Sequence, residues 1–117
     1  NDTHGHAIGD RTLQLVASTL TRSLRPFDIC CRWGGEEFLA VVLNVDERHL
    51  AVVAERVRAL IAQTRIPLED DYLRVTVSIG GTLVRTDDSV ATVIERADQM
   101  MYQSKIHGRN RVSLDID

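Results

Sequence analysis

Arg32-Trp33-Gly34-Gly35-Glu36-Glu37-Phe38 lies between two apolar runs, Ile29-Cys30-Cys31 before it and Phe38-Leu39-Ala40-Val41-Val42-Leu43 after it. A glycine pair joining two such runs reads as the bend of a β-hairpin. Glycine at both turn positions tolerates positive φ and carries no Cβ, so a foreign backbone, base or phosphate can come close to the bend. Glu36 and Glu37 follow at once. Neighbouring ionised carboxylates repel, and the turn needs neither for its geometry, so the pair points to a cation. A solvated acidic turn accounts for the same residues, because acidic side chains and glycine are common at turns.

With 117 residues the chain is large enough for one domain with a single core. Its 44% hydrophobic content is ordinary for a globular protein, and no apolar run nears the roughly 20 residues of a membrane span. A net charge of −3 gives no general attraction for nucleic acid polymers, so phosphate binding must come from local basic groups. Neither polymer binding nor membrane contact by this chain is expected. Cys30 and Cys31 are adjacent on a predicted strand, where successive side chains point to opposite faces, a poor arrangement for a disulfide. Both read as reduced packing residues in a cytoplasmic setting, with no signal peptide visible.

Around the hairpin the periodicity predicts helices and strands in alternation. Gly5 and Gly9 bracket a predicted loop, and Asp10 reads as the cap of a helix with Leu13, Val16, Ala17, Leu20 and Leu24 inward, ending before Pro26. Arg25-Pro26-Phe27-Asp28 reads as a polar corner with proline stopping the helix. A second helix is expected from Glu47 to about Arg65, its core stripe Leu50, Val53, Ala54, Val57, Leu60 and Ile61, with Arg56 off the stripe and facing water. Residues Ile66 to Asp71 read as a loop, Arg74 to Ile79 as a strand with Val75, Val77 and Ile79 inward, and Gly80-Gly81 as a bulge or close backbone contact. Asp87-Asp88-Ser89 begins the last helix, with Val90, Val93, Ile94, Ala97 and Met101 inward. It ends at Lys105-Ile106-His107-Gly108-Arg109-Asn110-Arg111, glycine supplying the stop and basic residues matching the helix dipole. A final strand is expected around Arg111 to Ile116. His4 and His6 lack a third ligand at a usual zinc spacing.

The hairpin heptapeptide resembles the signature of the GGDEF family of diguanylate cyclases in its Gly-Gly-Glu-Glu-Phe form. Asn1-Asp2, Gly5-His6, Gly9-Asp10, Arg25-Pro26-Phe27-Asp28 and Lys105 through Arg111 match further motifs in order. The resemblance implies an α/β (α+β) sandwich with a mostly antiparallel central sheet flanked by helices, like the nucleotide cyclase and polymerase palm domain with its ferredoxin-like core. It also implies an upstream strand and short helix bearing a metal-binding aspartate and a phosphate-contacting lysine. The chain opens on Asn1-Asp2 without them, so residues 1–117 are expected to be an N-terminally truncated GGDEF domain, attached to a sensory or regulatory domain in a protein that could be membrane-anchored.

By the same resemblance, Asn1 and Asp10 bond the guanine of GTP, Gly34 and Gly35 make room for the nucleotide, and Lys105 and Arg109 hold its phosphates. Glu36 is the expected ligand of Mg2+ (or Mn2+) and, with Glu37 as a weaker candidate, a participant in deprotonating the attacking hydroxyl. Arg32 is expected to steady charge at the reacting centre. Arg25 and Asp28 match the RxxD site that binds the product cyclic di-GMP as an inhibitor, and Arg56 matches an arginine that completes such a site from a neighbouring subunit. Two GTP molecules would condense across a homodimer. Two other readings stand beside this one. The first is an impaired domain that binds GTP or cyclic di-GMP as a regulatory module, and the second is a plain dimerisation domain that binds no nucleotide.

Overall fold

A computed structural model of the protein describes residues 3–115, without the side chains of residues 3, 4 and 6. The elements run α1 (Thr3–Ser23), β1 (Ile29–Gly34), β2 (Glu37–Val41), α2 (Glu47–Gln63), β3 (Ile66–Pro67), β4 (Tyr72–Leu73), β5 (Ile79–Thr82), α3 (Val90–Ile106) and β6 (Val112–Asp115). The mixed α/β class expected from the sequence is the class observed. Among the described residues the strands pair as three two-stranded ladders: β1 with β2 and β3 with β4 antiparallel, β5 with β6 parallel.

The core forms where the helices meet. Val16 of α1 packs with Val57 and Ile61 of α2, and Leu20, Phe38, Val75, Val77 and Ile79 close around them. Ile61 is wholly buried. Burying such an aliphatic side chain contributes about 1.5–3 kcal/mol. The β5–β6 ladder lies between α3 on one face and α2 on the other, and the glycines show why. A Cβ on Gly80 would stand 2.0 Å from the backbone N of Met101 in α3, whereas one on Gly81 would meet Leu114 at 2.7 Å and Leu50 of α2 at 3.7 Å. Successive strand residues face opposite ways, so each glycine admits a different neighbour. The expected close backbone contact is present.

Several local expectations need correction. Gly5 and Gly9 lie inside α1 and bracket no loop; each helical glycine costs about 1 kcal/mol, which the packing of the buried and half-buried face of a 21-residue helix offsets. Asp10 is therefore an interior residue of α1 and not its cap. Residues 66 to 71 are not wholly loop, because Ile66 and Pro67 pair with Leu73 and Tyr72. Strand pairing begins only at Ile79, although Val75 and Val77 do turn toward the core. Leu60 is 45% exposed at the margin of the α2 stripe, and Val90, the first residue of α3, is 78% exposed. Neighbouring Ser89 caps α3 in a reciprocal box with Thr92, and Asp46 caps α2 by accepting from His49 N at 2.8 Å.

Candidate functional site

The hairpin is built from pairs Ile29–Val41, Cys30–Ala40, Cys31–Leu39, Arg32–Phe38 and Gly34–Glu37. Trp33 is the extra residue of a bulge, which leaves Gly35 and Glu36 as the two-residue bend. Gly35 has φ +36°, which suits a tight hairpin turn. The glycine pair thus does not occupy both turn positions: Gly34 is the last paired residue of β1, and Glu36 is at the tip. Arg32 Nε donates to Gly35 O at 2.7 Å, which ties the bend to the strand beneath it. A Cβ on either Gly34 or Gly35 would meet nothing within 4 Å. The space over the bend is open, so neither glycine is required by packing inside the chain. Glu36 is exposed and Glu37 half-buried.

Beside the bend, α1 and the hairpin enclose an open groove of about 400 Å³. Asp10, Leu13, Gln14, Ala17 and Thr21 line one wall at helical spacing; Cys30, Cys31, Arg32 and Phe38 line the other. Asp10 and Arg32 thus face the same groove from opposite walls. The groove therefore offers a carboxylate acceptor, a guanidinium donor and apolar surface for a planar group. Both thiols are free, but only Cys30 is half-buried; Cys31 is exposed and is not a packing residue. Burial, and then the neighbouring Cys31, pushes the Cys30 thiol above its ordinary value.

The corner at residues 25 to 28 is closed on itself. Asp28 accepts from Arg25 N at 3.0 Å, Arg25 Nε at 3.2 Å and Leu43 N at 2.9 Å, and its side chain is 1% exposed. The Leu43 N–H, followed by the Arg25 groups, holds this carboxyl below the usual range against the opposing effect of its burial. Arg25 also donates to Leu43 O and lies over the Phe27 ring at 4.8 Å, with its side chain 37% exposed. Arg56 faces water as expected, and its Nη2 donates to Ser23 O at 3.0 Å, at the end of α1.

Lys105 and Arg109 are exposed at the far end of α3, which packs on β5 and β6. No hydrogen bond or ion pair joins either side chain to the hairpin among the described residues. Asn1 lies outside those residues, as do the side chains of His4 and His6. Among the described residues no three His, Cys, Asp or Glu side chains gather for a metal. The two hairpin carboxylates nevertheless fit Mg2+, which takes only one or two carboxylates and completes its shell with phosphate and water oxygens.

Sequence reasoning missed one polar cluster. Asp88 accepts from Arg96 at 2.6 and 3.0 Å, from Arg85 N at 2.7 Å and from Thr92 Oγ1 at 3.0 Å, and Arg96 reaches on to Thr82 and Leu83. The Arg96 bonds in particular hold the Asp88 carboxyl far below the usual range. The cluster's signal in the sequence was faint: Asp88 precedes the Ser89 cap, and Arg96 lies in the second turn of α3. It braces the start of α3.

A family model described as diguanylate cyclase, GGDEF domain, matches residues 1–111. Diguanylate cyclase A of Treponema denticola is 40% identical over 115 residues, covering 97% of this chain and 31% of that protein. The response regulator PleD of Caulobacter vibrioides is 36% identical over 115 residues, covering 96% of this chain and 25% of that protein. The chain thus spans about a third or less of these relatives. Among solved structures, the coiled coil and GGDEF domain of DgcB from Caulobacter crescentus in complex with c-di-GMP superposes with TM-score 0.91 at 32% identity, covering 98% of this chain and 62% of that one. SiaD from Pseudomonas aeruginosa, a diguanylate cyclase in complex with its activator SiaC, gives TM-score 0.90 at 35% identity, covering 98% and 44%.

Proposed function

We propose, for a chain that belongs to the GGDEF domain family of diguanylate cyclases, that its groove and hairpin hold one GTP and that two copies condense their nucleotides into cyclic di-GMP. The observation that carries this reading is that Asp10 and Arg32 line opposite walls of one open groove, beside a bend at which Gly34 and Gly35 leave free space. Asp10 accepts from the N1–H and N2 amino groups of guanine, a donor pair that adenine lacks. Asn1 answers the remaining polar edge. The triphosphate extends over Gly34 and Gly35, and Lys105 and Arg109 hold its oxygens.

Each 3′-hydroxyl attacks the α-phosphorus of the partner's GTP; a P–O bond forms, the bond to the leaving pyrophosphate breaks, and the hydroxyl proton passes to a base. Glu36, at the tip, would hold the divalent ion, and Glu36 or, as the weaker candidate, Glu37 beside it would take that proton. Bound Mg2+ (or Mn2+) supplies charge neutralisation at the phosphates. Arg32, anchored through Nε, keeps the bend in place and presents positive charge to the reacting centre. Product inhibition falls to Arg25, whose partly exposed guanidinium is held by Asp28 and offers a fork of donors to a guanine edge or phosphate. Arg56 extends that surface. The enclosed Asp28 serves it by orienting Arg25.

Incubating the full-length protein, with the residues upstream of this chain, with GTP and Mg2+ and following cyclic di-GMP and pyrophosphate tests this reading. Glu36→Gln is expected to lower turnover by roughly hundredfold or more while GTP still binds. Equal turnover by the variant would refute the role of Glu36. Nucleotide binding without turnover in the unaltered protein would favour the regulatory module.

A further inference from the structure

Three consecutive residues after α3 have positive φ: Gly108 at +122°, Arg109 at +58° and Asn110 at +48°. Glycine takes such values freely, but two successive side-chain-bearing residues in the left-handed region are strained. Such a segment persists only where its surroundings hold it, and strained segments concentrate at ligand clamps.

The holding contacts are specific. Arg109 N donates to Ser104 O at 2.9 Å, closing the end of α3. Asn110 Oδ1 accepts from Arg58 Nη1 at 2.7 Å, a contact that reaches across 52 residues from α2. Arg58 is in turn fixed by Glu55, whose two oxygens accept from Nε at 2.9 Å and Nη2 at 2.5 Å. The Arg58 side chain is 20% exposed, against 57% for Glu55, so the arginine is the more covered member of the pair. The remaining end is tied by Arg111, which donates to His107 O.

We propose that Arg58 is a positioning residue for substrate phosphate binding. Through Asn110 it holds the left-handed bend that aims Arg109 at the triphosphate, and Glu55 keeps Arg58 in register. A planar guanidinium suits the task because one face of its fork pairs with the carboxylate while the other amino group reaches the amide. This rests on the reading above that Arg109 contacts phosphate.

The test is calorimetric titration of the protein with GTP and, separately, with guanosine, which carries the base without phosphates. Arg58→Ala is expected to weaken GTP binding roughly three- to tenfold, the scale of one lost hydrogen bond, and to leave guanosine binding unchanged. On an Arg109→Ala background it should add nothing further. Equal weakening toward guanosine, or full additivity with Arg109→Ala, would show a general structural role and overturn the proposal. If Arg58→Ala fails to fold by circular dichroism, Glu55→Gln loosens the same brace from an exposed position. It should weaken GTP selectively, and unchanged GTP binding would count against the proposal. An unaltered protein that binds guanosine but not GTP removes this inference and the phosphate assignment together, whereas one that binds neither removes the substrate reading.

Discussion

At the scale of single residues, the corner aspartate shows how a motif side chain can have structural work of its own. Asp28 gathers N–H donors from Arg25 and Leu43 and so joins the end of α1 to the end of β2. Its depressed folded-state pKa means that the ionised form stabilises the fold above the unfolded value of about 3.9. That contribution is lost as pH falls from there through the folded-state value. Asp28→Asn is therefore expected to lower the melting temperature at neutral pH and to flatten its decline below about pH 4. Melting curves recorded across that range check this; an unchanged acid limb would remove Asp28 from the account. The residue types of the corner were readable in the sequence. Their mutual satisfaction was not, because the decisive partner, Leu43, lies 15 residues away and contributes only its backbone.

At the scale of elements, the glycines divide into two kinds. Gly34 and Gly35 face open space, whereas Gly80 admits α3 against β5. A methyl group at Gly80 would overlap the backbone of α3, which cannot yield as a flexible side chain can. Gly80→Ala should cost about 3 kcal/mol or more and read out as a large fall in the denaturation midpoint. Gly34→Ala, with no neighbour to meet, should leave stability within about 1 kcal/mol while impairing nucleotide binding. Parity of the two variants in both assays would contradict the division. The hairpin, the α2 stripe and the last helix were readable because a chain's own periodicity specifies them. The part of α1 from Asp10 onward was readable for the same reason, but its start from Thr3 was not, since two glycines ahead of an aspartate mimic a loop before a cap.

At the scale of the whole molecule, the proposed reaction joins two nucleotides, each held in the α1–hairpin groove of a separate copy. Specific activity should therefore fall on dilution below the dimer dissociation constant, approaching roughly tenfold per tenfold dilution in the fully dissociated limit. Pyrophosphate release at graded protein concentrations measures it. A constant specific activity would mean that a single copy suffices.

The sequence by itself determined the hairpin, its adjacent acids, the polar corner and the basic end of the last helix, because each is written in contiguous residues and local geometry. It also carried the family resemblance, which rests on the order and spacing of those motifs. Only the tertiary structure decided that Asp10 and Arg32 share one groove, that Asp28 is enclosed, and that Arg58 donates to Asn110 in the bend beside Arg109. Those contacts join residues far apart along the chain, and their free energy appears only when packing brings the elements together. Local pattern has no access to it.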